Sequence, residues 1–280
     1  MLTPLPPTDT RALFRPVSSD LVVLLRGLPP DAWHRPTMAG KWVVRDIVAH
    51  LVDLTFRRLS FHRDRMSPPP PRLPINSEQD FVDFINGLNH DFVEATRRFS
   101  PRVLTDLFER ASTDLADFFE QLPLDTPALF PVSWAGEETP DGWFDIGREF
   151  TELWHHQAQI RLAVGAPSLA APRYLRAMLE IALRGLPHAF RSLDAAAGTQ
   201  VVIAVYGPAG GLWTLVRDGD RWGIQAGVAD KADASVRISD ENMWRLLCNG
   251  LTHAQAAAAV EIEGAPALIQ PLLCARSVIV

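Results

Sequence analysis

The chain has 280 residues, 47% of them apolar and 21% charged, a composition that excludes wholesale disorder and can bury a sizeable core without disulfides. Acidic residues outnumber basic ones 33 to 27 for a formal charge of −6, whereas a protein that tracks phosphates carries a basic excess, so general nucleic-acid binding is excluded. At roughly 150 residues per domain, two domains are expected.

Residues 1 to about 167 read as helices. The first spans Arg11 to Leu28 and is started or interrupted by Pro16. Trp42 to Met66 is long and amphipathic, with Val43, Ile47, Leu51 and Leu54 at helical spacing. The run Ser67-Pro68-Pro69-Pro70-Pro71-Arg72-Leu73-Pro74 stops it as a stiff polyproline-type connector, since proline cannot continue a helix interior. Glu78 to Phe99 and Pro101 to Gln121 follow, with Ser100-Pro101 placed as cap and first helical position. A loop rich in Pro, Gly and Trp covers roughly 122 to 142, and a last helix runs from about Gly142 to Val164, stopped by Gly165-Ala166-Pro167. Trp134 and Trp143 flank that loop; core packing is their first reading, a substrate mouth or an interface the second.

β-type runs are absent before Pro172 and concentrated after it. Arg173 to Leu193 reads as one amphipathic helix, followed by short β runs at 200–206, 212–217, 221–226 and 233–238. Ala195 to Val216 is uncharged and near the ~20 residues a membrane span needs. Its centre, Tyr206-Gly207-Pro208-Ala209-Gly210-Gly211, would break such a helix, and β-rich sequence flanks it, so it reads as a hairpin. Ser239 opens a helix through Leu247, and two short helices and a strand at 260–263 finish the chain. The fold expected is an all-α domain at 1–167 and an α+β domain at 168–280. No signal-like or membrane segment is found, and the two cysteines, Cys248 and Cys274, form neither a disulfide framework nor a zinc ribbon, so a soluble cytoplasmic protein is expected.

Eight histidines are the residues to test for chemistry. His50 shares the apolar row of Val43, Ile47 and Leu54 and so faces a bundle core, where a hydrogen-bonded structural histidine is the competing reading. His62 has Arg58 and Arg65 as row neighbours and reads as solvated. In Glu152-Leu153-Trp154-His155-His156, Glu152 and His156 lie one turn apart on one helix face and could grip one ion. His155 shares a polar row with Arg148, Thr151 and Gln159, so His156 is preferred as ligand; an ordinary i,i+4 Glu–His pair is the competing reading. No histidine precedes a glutamate as a zincin requires, and Glu152 to His155 is the lone Glu-x-x-His where a di-iron bundle needs two. Nucleotide-binding glycine motifs and a G-x-S-x-G elbow are absent from the sequence. Two imidazoles and one carboxylate leave positions open for water or substrate, a set that suits zinc first and also iron or nickel.

The segment Trp33-His34-Arg35-Pro36-Thr37, with Gly40-Lys41-Trp42-Val43-Val44-Arg45-Asp46-Ile47-Val48-Ala49-His50-Leu51-Val52-Asp53, resembles the hallmark of the DinB-like bundles. It is most similar to the N-terminal domain of the mycothiol-dependent maleylpyruvate isomerases. Arg148 to Arg161 resembles that family's fourth helix. The resemblance implies an up-down four-helix bundle with a metal held by His50, Glu152 and His156. Asp233 to Leu247 and Val260-Glu261-Ile262-Glu263-Gly264 resemble the sterol-carrier-like C-terminal domain, so nearly the whole chain is covered. Two positions depart from the pattern. Cys248-Asn249-Gly250 stands where family members often carry an arginine, and Gln159 stands where an aspartate is usual.

Two functions follow from this reading. In the first, the metal binds a low-molecular-weight thiol such as mycothiol as thiolate, which attacks an electrophilic small substrate, as an isomerase or an S-transferase. In the second, a non-catalytic protein holds a lipid or other small molecule in the sterol-carrier-like half. The partners expected are a small-molecule substrate, no nucleic acid and no membrane, in a monomer or homodimer.

Overall fold

The computed structural model describes residues 1–71, 73–169 and 171–279. It divides into two compact units, neither continuous in sequence. Thr10–Pro123 with Glu152–Ser168 form one; Met1–Asp9, Leu124–Thr151 and Leu169–Ile279 form the other.

The first unit is helical. Its helices are α1 (Arg11–Gly27), α2 (Val44–Arg58), α3 (Glu78–Ala95), α4 (Pro101–Glu120) and the second half of α5 (Gly142–Val164). Local signals set the ends. Ser77 Oγ accepts from Asp80 N at 3.1 Å, and Ser100 Oγ accepts from Val103 N at 3.3 Å ahead of Pro101. Gly165 ends α5 at φ 69°, the left-handed conformation that glycine adopts without penalty. Apolar rows of α1, α2 and α4 close the core: Val17, Leu21, Ile47, Val48, Leu104 and Phe119 are fully buried, and Phe14 meets Phe119 edge-on at 5.0 Å. The Gln157 amide, itself buried, fits between Val17 O and Leu21 N of α1 and knits α5 to that helix. The long helix expected to reach Met66 stays α-helical only to Arg58 and winds on as a π-turn over Leu59–Arg63. The proline run at 67–71 has no regular structure, and Arg72 within that connector lies outside the described residues.

The second unit holds a six-stranded sheet of order β1-β4-β3-β2-β5-β6. Its strands are β1 (Thr3–Pro4), β2 (Gln200–Tyr206), β3 (Gly211–Asp218), β4 (Arg221–Ala226), β5 (Ala234–Ser239) and β6 (Val260–Gly264). All neighbours are antiparallel except β2 and β5, where Ile203 pairs in parallel with Val236. One face of alternating residues, Val201, Ile203, Trp213, Leu215, Val236 and Ile238, is fully buried. The helices of this unit are α6 (Pro172–Ala182), α7 (Leu186–Ala189), α8 (Asp240–Leu247), α9 (His253–Ala258) and α10 (Gln270–Cys274). The glycine-rich run is the β2–β3 hairpin turn, as expected. Gly207 takes φ 121° there, and Asp240 Oδ2 accepts from Ala209 N at 2.9 Å.

Two expectations need correction. Sheet is not confined to the second half, because Thr3 and Pro4 pair with Ala226 and Gln225 on the sheet edge. The single helix expected from Arg173 to Leu193 is broken by a 3-10 turn at Leu183–Gly185. Pro187 brings no N–H to continue the helix, and a Cβ on Gly185 would sit 2.8 Å from the Trp134 ring. Among the described residues, no helix is long and apolar enough to cross a membrane.

Candidate metal centre

The turn before α2 fixes how that helix begins. Asp46 Oδ2 accepts from Val43 N at 3.1 Å, while Arg97 Nη1 lies 2.8 Å from the other carboxylate oxygen. Two turns into the helix, His50 points inward and is 4% exposed. On α5, Glu152 and His156 lie one turn apart, as the row reading requires. Glu152 Oε2 is 3.4 Å from His156 Nε2 and 3.9 Å from His50 Nε2. The ligand atoms of the three residues all lie within 4.8 Å of one another. The structure therefore brings together all three residues singled out in the sequence.

The electrostatics favour ligation. Burial pushes the His50 and His156 imidazoles below the ordinary histidine value, outweighing the pull of the Glu152 carboxylate, so both are neutral near pH 7. Burial alone would raise the Glu152 carboxyl. His155, His156 and His50 around it instead hold it well below the usual carboxylate range, so it is ionised. His156 Nδ1 meets Gln159 Oε1 at 2.8 Å. In the tautomer in which Nδ1 donates to that oxygen, Nε2 is left free to ligate an ion. Four-coordinate zinc with bonds of about 2.1 Å sets its ligand atoms about 3.4 Å apart, close to the spacing found. Two neutral imidazoles and an ionised carboxylate at this spacing fit a divalent ion. The Glu152 side chain is 19% exposed, so the set opens to solvent on the carboxylate side.

Other candidates fall elsewhere. His155 is 3% exposed; the polar row that carries it is itself buried, with Thr151 at 1% and Gln159 at 3%. His62 is not simply solvated but packs edge-on against Phe118 at 5.0 Å. Trp134 is buried beside Val132, Phe144 and Ile181, with Trp143 packed on the same cluster, as core packing requires. In the second unit, within the Cys248-Asn249-Gly250 stretch, Asn249 Oδ1 accepts from Arg276 Nε at 2.8 Å. Sequence reasoning missed Trp42 as a neighbour of the site. Its indole lies 4.9 Å from the His50 ring, although the residue precedes the helix and stands in the motif quoted above.

No curated protein matches the chain in sequence. Among solved structures, the chain is similar to the crystal structure of the mycothiol-dependent maleylpyruvate isomerase, with TM-score 0.56 and 13% identity over 92% of this chain and 93% of that one. A histidine-to-alanine mutant of that enzyme matches with TM-score 0.55 at the same identity and coverage. Identity this low shows a shared fold and no more. The family model described as the mycothiol maleylpyruvate isomerase N-terminal domain matches residues 14–161, the stretch that contains all three clustered side chains. The chain belongs to the mycothiol maleylpyruvate isomerase family.

Proposed function

We propose that the protein is a metal-dependent, thiol-using enzyme, with a divalent ion, zinc in the first instance, held by His50, Glu152 and His156 and mycothiol as its thiol. The observation that carries this reading is the convergence of two imidazole Nε2 atoms on one carboxylate oxygen, at 3.4 and 3.9 Å. An ion there would lower the pKa of a thiol at an open position, supplying thiolate near neutral pH. The chain's own part is to keep both imidazoles neutral by burial, Glu152 ionised, and His156 in one tautomer through Gln159. In an isomerase the thiolate sulfur adds to a conjugated double bond, rotation follows about the resulting single bond, and the C–S bond breaks to return the thiol. In an S-transferase the C–S bond is kept. Residues 1–167 would supply the metal-binding part, and 168–280 a sterol-carrier-like part.

The test is metal analysis of the purified protein, followed by thiol-consumption assays with mycothiol, glutathione and bacillithiol against an unsaturated electrophile. Stoichiometric metal with thiol-dependent turnover is expected. Metal without turnover, together with co-purified lipid, would instead select a non-catalytic binding protein.

A further inference from the structure

His50 and His156 are oriented by different means, and from this we infer that Trp42 is a positioning residue for the ligand imidazoles, doing for His50 what Gln159 does for His156. The inference rests on the metal reading above. An imidazole that ligates a metal is ordinarily fixed by a hydrogen bond from its second ring nitrogen. His156 has such a bond, to Gln159 at 2.8 Å. His50 does not: its Nδ1 is buried and has no hydrogen-bond partner among the described residues.

Rings hold His50 in place of that bond. The Trp42 indole lies 4.9 Å away with its plane tilted by 47°, and the His156 ring stands edge-on at 4.8 Å and 81°. The same indole reaches His156 at 6.3 Å and 39°, which closes a triangle of three rings. Flat groups packed in this way restrict rotation of the imidazole about its Cβ–Cγ bond, the motion that would turn Nε2 away from Glu152.

Trp42 can serve this role because its own backbone is pinned. Thr37 donates to Trp42 O twice, from its N at 3.1 Å and its Oγ1 at 2.7 Å, and Trp42 N donates to Ala39 O at 3.1 Å. Gly40 closes that turn at φ 61°. Pro36 bridges Val43, and the chain enters α2 directly after. A residue in this position commonly staples onto the fourth residue of the helix, here Ile47. The ring contacts of this indole run further, to both imidazoles.

The test titrates the full-length protein with cobalt(II) chloride alone, following the visible absorption bands and tryptophan fluorescence. Wild type is expected to saturate, with bands that need His50 and with partial quenching. Trp42→Phe keeps a flat ring and should bind close to wild type while losing part of the quenching. Trp42→Leu keeps the apolar bulk but not the plane, and should bind about 10- to 100-fold more weakly with altered bands, the range seen when an orienting partner is removed. Wild-type affinity and unchanged bands in Trp42→Leu would overturn the inference. Should that variant not fold by circular dichroism, quenching in Trp42→Phe equal to wild type would overturn it, because the indole would then be remote from the metal. Absence of cobalt binding by the wild-type protein would be a different failure, removing the metal reading itself.

Discussion

Gln159 and His156 lie three residues apart on α5 and are joined by a 2.8 Å contact between Oε1 and Nδ1, which leaves Nε2 as the nitrogen not engaged by Gln159. An amide oxygen here orients the ring without adding the charge that an aspartate would bring. Gln159→Leu should keep the fold and weaken zinc affinity by about 10- to 100-fold. Chelator competition measures this, and unchanged affinity would show that the contact does not orient a ligand.

Metal affinity should depend on pH in a way set by burial. A ligand imidazole must be neutral, and burial lowers the proton affinity of both His50 and His156. Binding should therefore hold as pH falls through the ordinary histidine value of about 6.5 and weaken only below it. Glu152, held well below the usual carboxylate range, stays ionised across that window and adds no slope. The same depression bears on stability. Above about 6.5 the contribution is complete, and it is lost as pH falls toward the native values, where the unfolded chain takes protons that the native rings refuse. Apparent zinc affinity measured from pH 8 to 5 checks this; a break at or above 6.5 would contradict it.

Removing the α2 ligand should be decisive. His50→Ala leaves two ligands on one helix and is expected to abolish stoichiometric metal. His155→Ala should retain the metal, because His155 is not in the converging set. It should still lower stability by about 1–3 kcal/mol, since a buried ring beside His156 is lost. Metal analysis with urea unfolding separates the two effects. Metal loss in His155→Ala with retention in His156→Ala would show that the wrong face of α5 had been chosen.

One turn beyond His50, Asp53 is almost buried, and burial raises its carboxyl even though Arg57 opposes the shift. Arg57 Nη2 donates to Asp53 and to Asn89 of α3, tying the two helices together. Arg57→Met would leave a buried carboxylate unpaired and should cost about 3–5 kcal/mol in urea unfolding. Adding Asp53→Asn should recover much of that loss. Equal stability of the single and double variants would mean that the pair is not coupled.

In the hairpin turn of the second unit, a Cβ on Gly207 would lie 2.3 Å from Asp240 Oδ1, in a backbone conformation that other residues resist. Gly207→Ala should destabilise by about 1–3 kcal/mol, read from the midpoint of unfolding. A neutral effect would show that Asp240 can move aside freely.

What was legible in the sequence was local. Ser100-Pro101, Ser239 and Gly165 mark helix ends by chemistry confined to a few residues, and each ends a helix where it should. The site was legible because its three members repeat the periodicity of the helices that carry them: His50 sits on an apolar row, and Glu152 and His156 are one turn apart. Interactions between distant segments left no such trace. Thr3 and Pro4 carry no strand pattern and form an edge only because β4 offers unpaired groups to them. The break after Ala182 falls where Gly185 packs close against the ring of Trp134, a residue distant in sequence. His155 was placed on a polar row, and nothing in that row's residue types shows that the row is buried. Trp42 was read as part of a motif, and its bearing on His50 depends on a turn whose direction no periodicity encodes.

The interleaving of the two units sets an order for the growing chain. Thr3 and Pro4 leave the ribosome long before the strand they pair with, Arg221–Ala226. Val132, Trp134 and Phe144 likewise wait for Ile181 before their cluster can close. Until Ile181 is made, the nascent chain thus carries the unburied aromatic surface of Trp134 and Phe144, an interval in which chaperones would find a binding site.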